Sequence, residues 1–172
     1  MSRIISREDV HAYSEACSDM GLEFQSIATR LVKEQNRLKT FIDSEFVKVD
    51  PLAGQVALYM FTVCLRVFEQ DGGKLKKVNS GDINHAFAKT QRSFKDSLLP
   101  MDEGFSARAK DIEWRAQPNL LDEILWALFD RNEEEKKEEE APLDTKQSAL
   151  IYLMLWTAVE ALDSRYKSKY ER

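Results

Sequence analysis

The chemistry that this sequence can carry begins with its two histidines, each of which follows an acidic residue by three positions. The pairs are Glu8 with His11 and Asp82 with His85. On a helix this spacing places a carboxylate and an imidazole on one face, as metal-binding helical bundles require. Both pairs fall in the first turn of a predicted helix, where the helix dipole favours anions and opposes a bound cation. We therefore interpret the acids as helix-start residues, with a metal site at these pairs as the alternative.

A second pattern has the form EExxE…ExxD and consists of Glu134, Glu135, Glu138, Glu160 and Asp163. It resembles the magnesium-binding signature of the all-α nucleoside-triphosphate pyrophosphohydrolases of the MazG type. The resemblance implies acids on an inner helical face that hold Mg²⁺ against a triphosphate while an activated water attacks phosphorus. Residues 130–140, however, contain seven acids and no apolar face, and such charge runs are usually solvated. We favour a solvated extension or tether over residues 130–142, and keep a metal-dependent hydrolase as the alternative function.

A third feature is the basic stretch of residues 74–95, which carries five lysines and one arginine against Asp82, a local net charge of +5. Trp114 and Arg115 follow further along the chain. Basic residues interleaved with an aromatic residue can bind single-stranded nucleic acid or a phosphorylated ligand. The whole chain has a net charge of −5, which gives it no general affinity for nucleic acid or membranes. We favour a solvated helix face, or one that meets an acidic protein partner.

The helices that position these residues are organised around residues 148–162, which are apolar nearly all round. Such a helix must be buried on most sides, so we predict that it is the central helix of an all-α domain. Tyr152 and Trp156 lie on a face that ends in charged residues and should emerge from the core partway along. These aromatics either lie beneath residues 101–117 of the same chain or contact a second chain.

We predict an interaction surface built from the aromatics at this edge and from their neighbours. Its residues are Phe105, Trp114, Arg115, Tyr152 and Trp156. Aromatic and arginine side chains are enriched at interface hot spots. We expect Trp156 to make a contact between chains, together with part of the apolar seam from Val10 to Leu31.

The N-terminal part of the chain predicts one long helix. Ser6 can cap its first turn, and apolar residues recur in steps of three and four from Val10 to Leu31. We expect the helix to continue unbroken to about residue 48, because Gly21 in a helix costs only about 1 kcal/mol relative to alanine.

The remaining chain predicts a single antiparallel bundle of five to six helices over residues 1–172. Asp50 as cap and Pro51 at the first helical position begin a second apolar helix. Either Ser80 or Asp82 should cap a third helix. A short amphipathic helix should follow, and a further helix should begin at Pro118.

The composition suits a folded cytoplasmic domain, with 43% hydrophobic and 32% charged residues. The first residues lack the apolar run of a signal peptide. We expect no membrane span, because Arg66 interrupts the longer apolar segment. Cys17 and Cys64 lie inside helical patterns and should be free buried thiols, with a disulfide between them as the less favoured alternative.

No phosphate-binding loop, zinc-binding spacing or serine-nucleophile elbow occurs in the sequence. We therefore predict a non-enzymatic helical protein that acts through protein–protein contacts, most simply as a homodimer. No cofactor is expected.

The basic stretch generates a first testable prediction. We expect at most weak, salt-sensitive binding of a single-stranded oligonucleotide, because only residues 74–95 are cationic in an acidic chain. Fluorescence anisotropy with a labelled oligonucleotide over a range of salt concentrations measures this. Submicromolar binding at physiological salt would contradict it.

Overall fold

The computed structural model describes residues 4–130 and 143–167. Helix accounts for 79% of these residues, so the all-α prediction is confirmed. The α-helices are α1 (Arg7–Met20), α2 (Phe24–Glu34), α3 (Asn36–Glu45), α4 (Pro51–Asp71), α5 (Ser80–Ser93), α6 (Phe105–Lys110), α7 (Pro118–Leu125) and α8 (Thr145–Ser164). Turns of π-helix extend α5 over Phe94–Leu98 and α7 over Trp126–Asp130. The one sheet in this part of the chain pairs β1 (Lys74–Leu75) with β2 (Tyr166–Lys167).

The prediction of one continuous N-terminal helix is wrong, because the chain breaks twice and forms α1, α2 and α3 instead. The first break is a turn of 3-10 helix at Gly21–Glu23, where Gly21 has a φ of 55°. The second break is at Gln35, whose φ of −119° and ψ of 50° leave the helical region. These breaks also raise the number of helices above the five to six that we predicted.

Gln35 leaves the helix because its side chain serves a distant loop. Its amide oxygen accepts from the backbone N–H of Val78 at 3.0 Å, and its amide nitrogen donates to the carbonyl of Lys76 at 3.2 Å. The side chain is buried, so these bonds satisfy polar groups that have no access to water. The loop that links α4 to α5 is thereby fixed against the N-terminal helices.

Most helix starts follow the sequence signals. The amide of Asp9 donates to the Ser6 hydroxyl at 3.1 Å, and the amide of Ala53 donates to Asp50 at 2.8 Å, as predicted. The N-cap of α5 is neither Ser80 nor Asp82, so that prediction is wrong. The N-cap is Asn79, which forms a reciprocal capping box with Asp82.

α8 lies at the centre of the bundle, as the sequence predicts. Thirteen of its 20 residues are buried, and the helix packs against α4, α5 and α7. Its one interior polar side chain on the apolar stretch, Thr157, exchanges a 2.7 Å hydrogen bond with Thr90 of α5. The polar group is therefore satisfied inside the core.

α4 is the second core helix, and it packs against α1, α2 and α8. Within the described residues it is the one helix long and apolar enough to cross a membrane, judged by length and composition alone. It meets that criterion even though Arg66 interrupts it, which we had expected to exclude a span. The buried core helix of a folded protein has the same composition, so the test carries little weight.

The helix break at Gly21 generates the second prediction. Its positive φ is one that residues with a side chain rarely adopt, and no atom lies within 4 Å of the position of an added Cβ. We expect Gly21→Ala to lower the free energy of unfolding by about 1–2 kcal/mol through backbone strain. In a continuous helix the same change would raise it by about 1 kcal/mol.

Urea denaturation measures the difference, and its sign decides between the two conformations. Ala16→Gly is the matched control, because Ala16 is exposed within α1 and its replacement should cost about 1 kcal/mol. A stabilised Gly21→Ala variant beside a destabilised control would contradict the break.

Candidate functional site

The five residues of the predicted interaction surface lie near one another, but three of them are in the core. Phe105, Tyr152 and Trp156 are fully buried. The ring of Trp156 stacks on Trp114 at a centroid distance of 4.9 Å and on Tyr152 at 5.8 Å. In this fold Trp156 has no exposed surface for a contact between chains, because residues 101–117 cover it. We call residues 101–117 the covering segment.

Arg115, the fifth of these residues, is also turned inward. Its guanidinium donates to the carboxylate of Asp122 at 2.7 Å and to the carbonyls of Lys110 and Ile112 at 3.0 and 3.1 Å. The side chain is buried, and its hydrogen bonds tie the covering segment to the start of α7. Arg115 therefore stabilises the fold through these hydrogen bonds.

Two acids of the predicted magnesium pattern hold the same segment against α8. Glu160 accepts hydrogen bonds from the amide of Ala116 at 2.9 Å and from the indole N–H of Trp156 at 3.2 Å. Asp163 accepts from the side-chain amide of Gln117 at 2.9 Å. The other three acids of the pattern lie outside the described residues: Glu134, Glu135 and Glu138.

The two predicted metal pairs do not come together. Asp82 belongs to the cap of α5 and pairs with Arg165 at 2.7 Å, and this guanidinium lowers the pKa of the Asp82 carboxyl. His85 and Glu8 are exposed, and His11 contacts a carboxylate of another helix. Within residues 4–130 and 143–167, no group of three or more potential ligands suited to a metal occurs.

The cations of the basic stretch lie on the outer side of the bundle. All six are exposed, and the ammonium of Lys89 lies 4.4 Å from the ring centroid of Trp114. This cation–π contact completes the cover over the Trp114–Trp156 stack.

A concave surface of a different kind lies between α1, α4 and α7. It is a groove of about 650 Å³, a volume typical of ligand-binding clefts. Its floor consists of side chains that are almost wholly buried: Val10, Val63, Cys64, Leu120 and Ile124. We call it the α1–α4–α7 groove.

The walls of this groove are apolar side chains that remain accessible. Tyr59 is 45% exposed, and Met60 and Trp126 are partly exposed. The ring of Tyr59 is fixed by an edge-to-face contact with Phe24, at a centroid distance of 6.1 Å. The groove therefore presents two aromatic rings and a flexible thioether around an apolar floor.

One edge of the groove is polar and is built around a buried carboxylate. Glu123 is only 6% exposed. Its two oxygens are occupied by His11 Nδ1 at 2.8 Å and by Arg7 Nε at 3.0 Å. The outward-facing His11 Nε2 lies 3.8 Å from Glu15, and the imidazole meets the Trp126 ring edge-on.

This pair has the orientation of a general base held by a carboxylate, so its chemistry has to be considered. In the described part of the chain, no serine or cysteine hydrogen-bonds to His11, although Ser14 and Ser18 line the same groove. Burial raises the pKa of the Cys64 thiol to about 12, so this cysteine is not a thiolate at neutral pH. The arrangement fits binding better than nucleophilic catalysis.

Two features of the sequence point to this site. Glu123 interrupts the inward-facing apolar residues of α7, and a buried carboxylate requires cationic or hydrogen-bonding partners. α4 is apolar on more faces than its neighbours cover, which leaves Tyr59 and Met60 accessible. Neither signal indicates that His11 supplies the partner, because Glu123 lies 112 residues away along the chain.

Comparison with known proteins adds no assignment. The chain matches no protein-family model, no curated protein and no solved structure. The class that the geometry defines is a helical domain with an apolar groove between three helices.

The contact of Glu160 with the covering segment generates the third prediction. Burial raises the pKa of the Glu160 carboxyl, and the donors Ala116 and Trp156 offset this effect only in part. A raised pKa in the folded state means that protonation stabilises the fold, and this contribution is lost as the pH rises through that pKa. Relative to wild type, Glu160→Gln should therefore gain stability as the pH rises through the raised pKa of Glu160.

Chemical denaturation at several pH values tests this expectation. Glu113→Gln, which removes an exposed acid from the covering segment, controls for the change in net charge. A constant stability difference between Glu160→Gln and wild type across the pH range would contradict it.

Proposed function

We propose that this protein is a non-enzymatic interaction module that binds a helix of a partner protein in the α1–α4–α7 groove. The observation that carries the proposal is the accessible apolar surface of Tyr59, Met60 and Trp126 above a buried apolar floor. Aromatic side chains are enriched in interface hot spots, and methionine adapts to irregular apolar partners. A partner that covers this apolar surface gains about 25 cal/mol of binding free energy for each Å² removed from water.

The dimensions favour a helix as the occupant. The groove follows α1 from Val10 to Ser18, a length of about 12 Å at 1.5 Å per residue. An amphipathic helix that places apolar side chains at positions i, i+3 or i+4, and i+7 extends over about 10 Å. Two turns of a partner helix would thus match the length of the groove.

The alternative function, a metal-dependent hydrolase, has less support from the described residues. Glu160 and Asp163 are occupied in holding backbone and amide groups of the covering segment. The His11–Glu123 pair faces the groove, and no serine or cysteine of the described residues is hydrogen-bonded to it. We place the protein in the cytoplasm, because its two cysteines are free and buried.

Selection from a display library of randomised helices supplies the fourth prediction. We expect the selected helices to carry apolar residues three to four positions apart. Tyr59→Ala and Met60→Ala should each weaken their binding by about tenfold or more, as truncation of an interface anchor does. Isothermal titration calorimetry of one selected peptide measures the effect.

Leu52→Ala is the matched control, because Leu52 lies on the same helix and is 41% exposed but does not line the groove. It should leave the affinity unchanged. If Tyr59→Ala and Met60→Ala leave the affinity of the selected peptides unchanged, the proposal is overturned. Light scattering tests our expectation of self-association: a wild-type dimer that Tyr59→Ala dissociates would identify a second copy as the occupant.

A further inference from the structure

The outer side of α1 borders the α1–α4–α7 groove and is strongly acidic. α1 contains four acidic residues and a single arginine. That arginine, Arg7, is already engaged with the buried Glu123 at 3.0 Å. The helix that forms one edge of the apolar groove therefore carries a net negative charge.

Three of these acids form one stripe. Glu8, Glu15 and Asp19 are separated by seven and four residues, so they point in nearly the same direction from the helix axis. All three are exposed. Glu15 itself lines the groove, and it fixes the position of the whole stripe as the edge of the groove.

The described residues supply little compensating charge to this stripe. In the described residues, no lysine or arginine pairs with Glu8, Glu15 or Asp19, and the nearest partner is His11 Nε2 at 3.8 Å from Glu15. The opposite walls of the groove, formed by α4 and by α7 with its π-helical extension, add no lysine or arginine to its lining. Among the described residues that line the groove, the carboxylates are Glu15 and Glu123, and only Glu123 is paired with an arginine.

We infer that the partner helix carries a basic stripe beside its apolar face, with lysine or arginine side chains that meet Glu8, Glu15 and Asp19; this inference rests on the proposed function. The acids extend over about 16 Å of α1. A partner helix lying along the groove meets them with basic residues that recur every three to four positions. Exposed charges of this kind set the association rate and the partner preference more than the final affinity.

The test uses one selected apolar helix in two forms that share the groove-facing residues. The outward positions next to the acidic stripe are lysine in one peptide and glutamate in the other. Binding of both to the full chain is followed by stopped-flow fluorescence and calorimetry over a range of salt concentrations. We expect the lysine peptide to bind about tenfold more tightly at low salt, with the advantage falling as salt is added.

The matched variants change the same number of charges at two places. Glu8→Gln/Glu15→Gln/Asp19→Asn removes the stripe, whereas Glu103→Gln/Asp111→Asn/Glu113→Gln removes three exposed acids of the covering segment. The first variant should abolish the preference for the lysine peptide and slow its association. The second should change its affinity by less than about twofold, because distant surface charges are screened.

The possible failures are distinguishable. If neither peptide binds in a manner that depends on Tyr59 and Met60, the proposed function fails. If both peptides bind at the groove with equal affinity, or if the glutamate peptide binds better, the groove remains a docking site and the basic partner is overturned. A lysine preference that survives in the Glu8, Glu15 and Asp19 variant would overturn the assignment to α1.

Discussion

The fold depends on the need to enclose α8 on every side. Burial of apolar surface stabilises a fold by about 25 cal/mol for each Å² removed from water. A helix that is apolar nearly all round is therefore most stable when other elements cover most of its faces. α4, α5 and α7 cover most of it. The remaining face, which carries Tyr152 and Trp156, requires the covering segment between α5 and α7.

That requirement explains why the segment is irregular yet firmly held. Its aromatic rings supply the apolar cover, but a short helix and bare loop also bring backbone groups that must be hydrogen-bonded when buried. Arg115 satisfies two of its carbonyls, and Glu160 satisfies the amide of Ala116. Arg115 and Glu160, which the sequence suggests as parts of a binding or metal site, therefore form hydrogen bonds that hold the covering segment over the core.

The sequence predicted which residues are buried better than it predicted the path of the chain. Four residues of the apolar seam are buried and the three between them are partly buried, although the helix breaks within the seam at Gly21; the buried residues are Val10, Cys17, Phe24 and Leu31. Apolar spacing is a local signal that survives a turn of 3-10 helix. The break at Gln35 depends on a loop more than 40 residues further along the chain, and no local pattern contains it. The cover over Trp156 differs, because residues 101–117 were one of the two covers that the sequence predicted, but no local pattern decided between them and a second chain.

The groove follows from the same constraint that forms the core. α4 is nearly as apolar as α8, but it lies at the side of the bundle, where α1 and α2 cover only part of it. The groove is closed at its polar edge, because the buried Glu123 of α7 is hydrogen-bonded to both Arg7 and His11 of α1. An apolar helix with an incomplete cover therefore leaves the wall residues Tyr59 and Met60 accessible above a buried floor. The exposed acids of α1 then place negative charge beside the groove, so that one helix contributes both to the buried apolar floor and to an acidic edge.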